Sequence, residues 1–322
     1  MRSASKASAV LSAIRPPNMH PSAFVARCHA SLRVVLVGFL VLSTQVLGQN
    51  LIQIPFAELR AGQFNVGLSG VVEFTMPRAE DAYKSGYNWD GVFYPAGAAG
   101  AEAFMKDKAQ PVILGPDGYH LVDGHHRTTG NYLLSEKYSD FPDHGYFYLV
   151  PNGDLSSLSI DDFWRTMQKG DGFSPSYVWL NNHGVPSTPS NLPFIPGLTD
   201  DALRNLSANV QYELNAYTLL EDPKTGYAFY YQEFYWADYL RDKVFLSGAG
   251  WETAGGNPNA AFVSSSYDAV AAEAARLCHL PAASNLPGFV AVPEPSEVAL
   301  MAFVGVFFVA RGAWMRFKPS RG

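Results

Sequence analysis

Between Pro111 and Tyr132 the chain reads PVILGPDGYHLVDGHHRTTGNY, and no other stretch restricts the fold as tightly. Val112 to Leu114 and Tyr119 to Val122 are short apolar runs. Pro116-Asp117-Gly118 between them fixes one φ and supplies a left-handed position, so the runs are expected to pair through a tight turn. Asp123-Gly124 then breaks the second strand, and His125-His126-Arg127 opens a helix expected to run towards Tyr138. A helix start presents unpaired backbone N–H groups to any anion. Two imidazoles and a guanidinium placed there make it the most chemically loaded point of the chain.

The flanking sequence predicts an α+β fold: a small mixed or antiparallel sheet carries the hairpin, and later helices pack against it. Residues 51–75 read as strands and turns, with Leu51 to Phe56 alternating and Val71-Val72-Glu73-Phe74 following a glycine-punctuated stretch. Tyr83 to Tyr94 reads as a polar aromatic loop, and Ala98 to Lys108 as a short helix. Ser159 with Asp162 resembles a capping pair before a helix that carries Phe163, Trp164 and Met167 on one face. Tyr177 to Leu180 is a short strand or loop. Asp200 to Leu220 is amphipathic, with Leu203, Leu206, Val210, Leu214 and Tyr217 at spacings of three and four. Tyr227 to Phe245 and Ala269 to Leu280 read as two more helices. The expected division is a core over 49–155 and a mainly helical extension over 156–290.

The ends differ from this body. Residues 32–47, LRVVLVGFLVLSTQVL, follow Arg27 and precede Gly48, which reads as a secretory signal over 1–48 with Met19 as a plausible true start. An uncleaved membrane anchor is the alternative, and either way the body crosses a membrane. At the other end Val292-Pro293-Glu294-Pro295-Ser296 precedes an apolar run, Val298 to Ala310, and then Arg311, Arg316, Lys318 and Arg321. Thirteen residues span only about 20 Å against a hydrocarbon core of roughly 30 Å, so the span is expected to continue to Phe317 with Arg311 snorkelling. This tail resembles the PEP-CTERM sorting signal. The resemblance implies an exosortase partner, transient anchoring in the bacterial membrane by a terminal helix, and delivery to the surface or matrix of a Gram-negative, exopolysaccharide-making bacterium.

Charge is where composition matters. The whole chain has 23 basic and 29 acidic residues, but 1–48 holds five of the bases and 296–322 another four with one acid. The 14 bases and 28 acids left leave the body near −14, which argues against a grip on extended nucleic acid. The two cysteines, Cys28 and Cys278, fit no zinc spacing, and Cys278 reads as a small apolar residue of its helix.

The runs LGPDGYHLVDGHHR, VWLNNHG, DDALRNL and EFYWADYLR together resemble the ParB-like nuclease family, over roughly residues 50–245. The resemblance implies a ParB/sulfiredoxin-like architecture in which a strand, a glycine turn and a helix N-terminus hold a phosphate. Gly124 and Arg127 would occupy that turn. Sulfiredoxins carry a reactive cysteine where this chain has His125, so their chemistry is not expected, and the Gly-Glu-Arg-Arg string with which ParB binds CTP is absent.

Chemistry at the turn has several readings. Asp123, His125, His126 and His120 are candidates for proton transfer in a nuclease or phosphodiesterase, with Gly124 and Arg127 holding the phosphate. Asp123 with His125 and His126 can alternatively hold a divalent metal that activates water. A purely structural role has Asp123 capping the helix while His126 and Arg127 pair with acids. Asn181, His183, Glu233 and Asp238 are secondary candidates, set in a polar loop and an aromatic helix. The competing function is a non-catalytic matrix protein that binds exopolysaccharide or a small anion.

Overall fold

The hairpin forms at the centre of a five-stranded sheet. The structure, a computed structural model, describes residues 50–87, 89–224 and 228–291. The apolar run at 32–47 and the tail from Val292 lie outside the described residues. In chain order the strands are Ile52–Pro55 (β1), Arg60–Ala61 (β2), Asn65–Val66 (β3, paired elsewhere), Gln110–Gly115 (β4), Gly118–Leu121 (β5) and His144–Asp154 (β6). The sheet order is β1-β6-β4-β5-β2. The β4–β5 and β1–β6 pairs are antiparallel, while β4–β6 and β2–β5 are parallel. Val112 faces Leu121 and Ile113 faces His120 across the hairpin.

Because both faces of β4 are covered, Gln110, Pro111, Val112 and Ile113 are all buried with no polar alternation. Ile54, Leu59, Val112, Leu121 and Phe147 form the core on one face. Ile113, Val122 and Val150 meet Phe163 and Met167 on the other.

Val71 to Phe74 is helical rather than extended. Leu68–Gly70 leads through a π-helical Val71–Thr75 into Met76–Ser85 (α1). The strand preference of two valines yields to packing, since Val71 is buried in a core shared with Phe104 and Leu134. Tyr83 therefore belongs to α1, and the loop begins at Gly86 with φ 72°. Ala98–Asp107 (α2) and His125–Lys137 (α3) match the expected helices. So does Ile160–Met167 (α4): Ser159 Oγ accepts the Asp162 N–H at 3.2 Å and donates to its carboxylate at 2.7 Å.

The extension is less uniformly helical than its sequence suggests. Asn181–Asn182 (β7) and Val185–Pro186 (β8) form a small hairpin, and Thr199–Asp200 (β9) pairs in parallel with β3. The next helix is Ala202–Leu214 (α5), shorter than the expected 200–220, because Asp201 caps its start and Asn215 ends it in a left-handed turn with φ 50°. Likewise 227–245 resolves into Gln232–Leu240 (α6) followed by Val244–Leu246 (β10). Phe262–Ser264 (β11) pairs with β10 in parallel before Tyr267–Cys278 (α7). These elements bury Trp236, Leu240, Val270 and Cys278 in one core, which gives Cys278 its packing role. No helix of the described residues is long and apolar enough to cross a membrane. The expected terminal membrane helix lies outside them.

Candidate functional site

Strand becomes helix at Gly124, which holds φ 79° and ψ 22°. A Cβ there would stand 1.7 Å from Gln110 Oε1, so the position demands both left-handed backbone and close approach to β4. Asp123 Oδ1 accepts the Gly124 N–H at 2.6 Å. No side chain caps α3, which leaves its first-turn amides unclaimed by any capping group.

The two adjacent histidines diverge. His125 is 4% exposed, and its Nε2 accepts the Gly62 N–H at 3.0 Å, which places the ring proton on Nδ1. Burial, then the charge of Arg204, pushes its pKa down to about 3, so the ring is neutral. It is a strut between the end of β2 and the start of α3. His126 is half-buried and lies by the turn before α1: a Cβ on Gly70 would stand 3.7 Å from His126 Cδ2 and 2.7 Å from Asn205 Oδ1. Burial first, then Arg204 and His125, holds it neutral as well.

A second arginine and a second carboxylate close the site from the other half of the chain. Arg204 on α5 pairs with Glu233 on α6, Nη2 to Oε1 at 3.3 Å. Glu233 is positioned by Tyr231, which starts α6 in a left-handed conformation, φ 62°, uncommon for a bulky residue. The Glu233 carbonyl accepts from Ser207 Oγ at 2.8 Å. Both members of the pair act on Asp123. Its carboxyl is raised by the surrounding protein, lowered by the Gly124 hydrogen bond, raised by Glu233, and lowered by Arg127 and Arg204.

Asp123 is nonetheless reached by solvent. Solvent that reaches the carboxylate tempers the upward push of the surrounding protein. Arg127 donates to the Lys108 carbonyl at 3.4 Å; burial opposes its charge, which Asp123 supports and Arg78 opposes. The Nε atoms of Arg78 and Arg204 are buried without a hydrogen-bond partner. Both atoms are sealed from solvent, so any anion would meet these guanidinium groups elsewhere than at Nε. A surface hollow of about 720 Å³ beside Trp164 and Arg165 contains none of these residues. Converging chemistry, rather than the size of a hollow, marks the site.

The other sequence candidates lie elsewhere. His120 does share a face with Val122, but α4 covers that face. Its ring packs on Phe163 and Trp164, and Nε2 meets Asp117 at 2.9 Å. Asn181 donates to Asp238 at 2.7 Å, and Asp238 in turn pairs with Arg241, which binds Asp201 at 2.8 Å. His183 Nε2 lies 2.8 Å from the Asp200 carbonyl. These three tie the β7–β8 hairpin to α5 and α6. Only Glu233 of the secondary set joins Asp123. Among the described residues no three His, Cys, Asp or Glu side chains gather to hold a metal ion. Asp123, His125 and His126 do not fit that task, because Gly62 already engages the His125 nitrogen.

Sequence reasoning missed Arg204, Arg78 and Tyr212. Tyr212 is 66% exposed on α5, within the field of Glu233, Arg204, Asp123 and Arg78. The only sign of Arg204 was its place in DDALRNL.

Comparison with known proteins bears on the same region. The family model described as "Putative ParB-like nuclease" matches residues 52–242, which takes in α3, Arg204 and Glu233 and stops short of β10. The crystal structure of protein Atu1540 from Agrobacterium tumefaciens superposes with a TM-score of 0.50 at 23% identity, over 76% of this chain and 99% of that one. At that identity the likeness is one of fold. No curated protein matches.

Proposed function

Since the chain belongs to the putative ParB-like nuclease family, we propose that it hydrolyses a phosphodiester at the start of α3, held by Arg127, Arg204 and the first-turn amides. The observation that carries this reading is the gathering of Arg127 and Arg204 about Asp123 at the uncapped helix start. The attacking water bonds to phosphorus and passes its proton to a phosphate oxygen, since His126, like His125, is held neutral by burial and by Arg204. The P–O bond to the leaving group breaks, and its electron pair leaves with that oxygen. Asp123, whose carboxyl is biased towards its protonated form by burial and by Glu233, gives the departing oxygen a proton. His125 holds the turn and takes no proton.

The test compares two leaving groups with the full chain. A dinucleotide has a poor leaving group that needs a proton, whereas bis(p-nitrophenyl) phosphate does not. Asp123→Asn is expected to slow the dinucleotide by about a hundred- to ten-thousandfold, and the nitrophenyl ester far less. Equal losses on both would remove Asp123 as the acid, and no turnover of either substrate would end the hydrolase reading. Binding of phosphate without turnover would instead support the second reading, a non-catalytic small-anion or exopolysaccharide binder, and the acidic body weighs only against an extended polyanion. We also place the protein outside the cytoplasm, on the strength of residues 32–47 and the tail from Val292. Fractionation of tagged cells that left the chain in the cytosol would refute that.

A further inference from the structure

Beside the arginine cluster stands a loop that the proposed hydrolysis leaves unused. Residues 86–97 leave the end of α1 and hold rings out in water: Trp89 is 45% exposed and Phe93 77%. The loop is nonetheless braced. Trp89 Nε1 donates to Asp81 at 2.7 Å, Lys108 Nζ meets Asp90 at 3.2 Å, Tyr94 donates to Asp107 at 2.8 Å, and Tyr87 bridges Phe93. Rings fixed in this way keep their exposed faces available at low entropic cost.

Two links place the loop at the site. Arg127 donates to the carbonyl of Lys108, the residue whose ammonium meets Asp90. Arg78 lies over the Trp89 ring, its guanidinium carbon 5.4 Å from the centroid, and its charge acts on both Arg127 and Tyr212. An indole from one end of α1 and a phenol from α5 therefore border the same cationic cluster.

We propose that Trp89, backed by Arg78 and aided by Tyr212, stacks on the planar base of the phosphate ester held by the cluster, so that the ligand is a nucleotide or short single strand rather than a duplex. Stacking on an aromatic ring needs a base free of its own stack, and guanidinium backing strengthens it. A body near −14 offers no long cationic track, so one or two phosphates at the cluster are all it can favour. The proposal rests on the phosphate-site reading above.

The experiment titrates the full chain with a tetranucleotide carrying 2-aminopurine, the same tetranucleotide with that base removed, and a hairpin duplex. Affinities come from competition and stacking from fluorescence quenching. The base is expected to improve binding by roughly 5- to 150-fold, with the duplex weaker than either single strand. Trp89→Leu should collapse the preference for the base. Trp89→Phe, which loses the hydrogen bond to Asp81 but keeps a ring, should retain most of it. Binding that ignores the base, a preference untouched by Trp89→Leu, or equal losses for both single strands would overturn the stacking role while leaving the phosphate reading intact. If none of the three ligands binds, both fall.

Discussion

Replacing Gly124 with alanine tests the geometry on which the site depends. Alanine at φ 79° costs about 1–2 kcal/mol from left-handed backbone alone. The new methyl would also lie 1.7 Å from Gln110 Oε1 and 2.4 Å from its Cδ, so that buried side chain must swing away. Gln110 Nε2 donates to the Lys108 carbonyl, and stranding it unpaired adds about 1–3 kcal/mol. The expected loss is therefore about 2–5 kcal/mol. Gly248→Ala is the matched comparison, since its φ is 78° with nothing within 4 Å of the added Cβ, so only the backbone cost applies. Urea unfolding followed by tryptophan fluorescence measures all four variants, the others being Gln110→Ala alone and Gln110→Ala combined with Gly124→Ala. Removing the Gln110 side chain should recover the steric part, as a coupling of about 1 kcal/mol or more. If Gly124→Ala and Gly248→Ala cost the same, or if the double variant shows no coupling, the close approach of the turn to β4 has no energetic role.

Two further outcomes follow. His125 titrates near pH 3 in the folded chain and near its ordinary 6.5 when unfolded, so between those values the unfolded state binds more protons; stability is full above pH 6.5 and falls as pH drops, by about 1.4 kcal/mol per pH unit at most. His125→Gln keeps an acceptor for Gly62 and removes the titration, so the slope of stability between pH 6 and 4 should shrink by up to one proton, and an unchanged slope would show that His125 is not buried neutral. Arg241→Ala leaves the carboxylate of Asp201 buried without its cation and should cost about 3–5 kcal/mol in the same unfolding assay, whereas a loss below about 1 kcal/mol would contradict the tie between α5 and α6.

What the sequence made legible is local. Pro116-Asp117-Gly118 joins two strands because turn chemistry acts over a few residues, and Ser159 with Asp162 starts a helix for the same reason. Val71-Val72 misled because a β-branched pair with one buried member, Val71, serves a helix as well as a strand, and the choice came from packing against other helices. The extent of α5 turned on one residue, Asn215, whose left-handed conformation cannot be read from periodicity. The site divides in the same way. VDGHHR announced the turn, but adjacency hid the fact that one histidine faces Gly62 and the other the turn before α1. Arg204 and Glu233 lie far from that string and reach it only through tertiary packing and a strained Tyr231. The string therefore located the turn, while the residues packed about it came from the fold.

The hydrogen bond from Gly62 to His125 spans 63 positions of sequence, and it makes one backbone amide a sensor of the whole turn. Its proton can exchange with deuterium only when β2 and α3 part, so the protection of Gly62 measures the opening free energy of the site separately from that of the sheet. Protonating His125 turns the acceptor into a donor and expels that amide from its bond. Acid therefore loosens the phosphate turn from behind, at a buried ring that never meets the ligand.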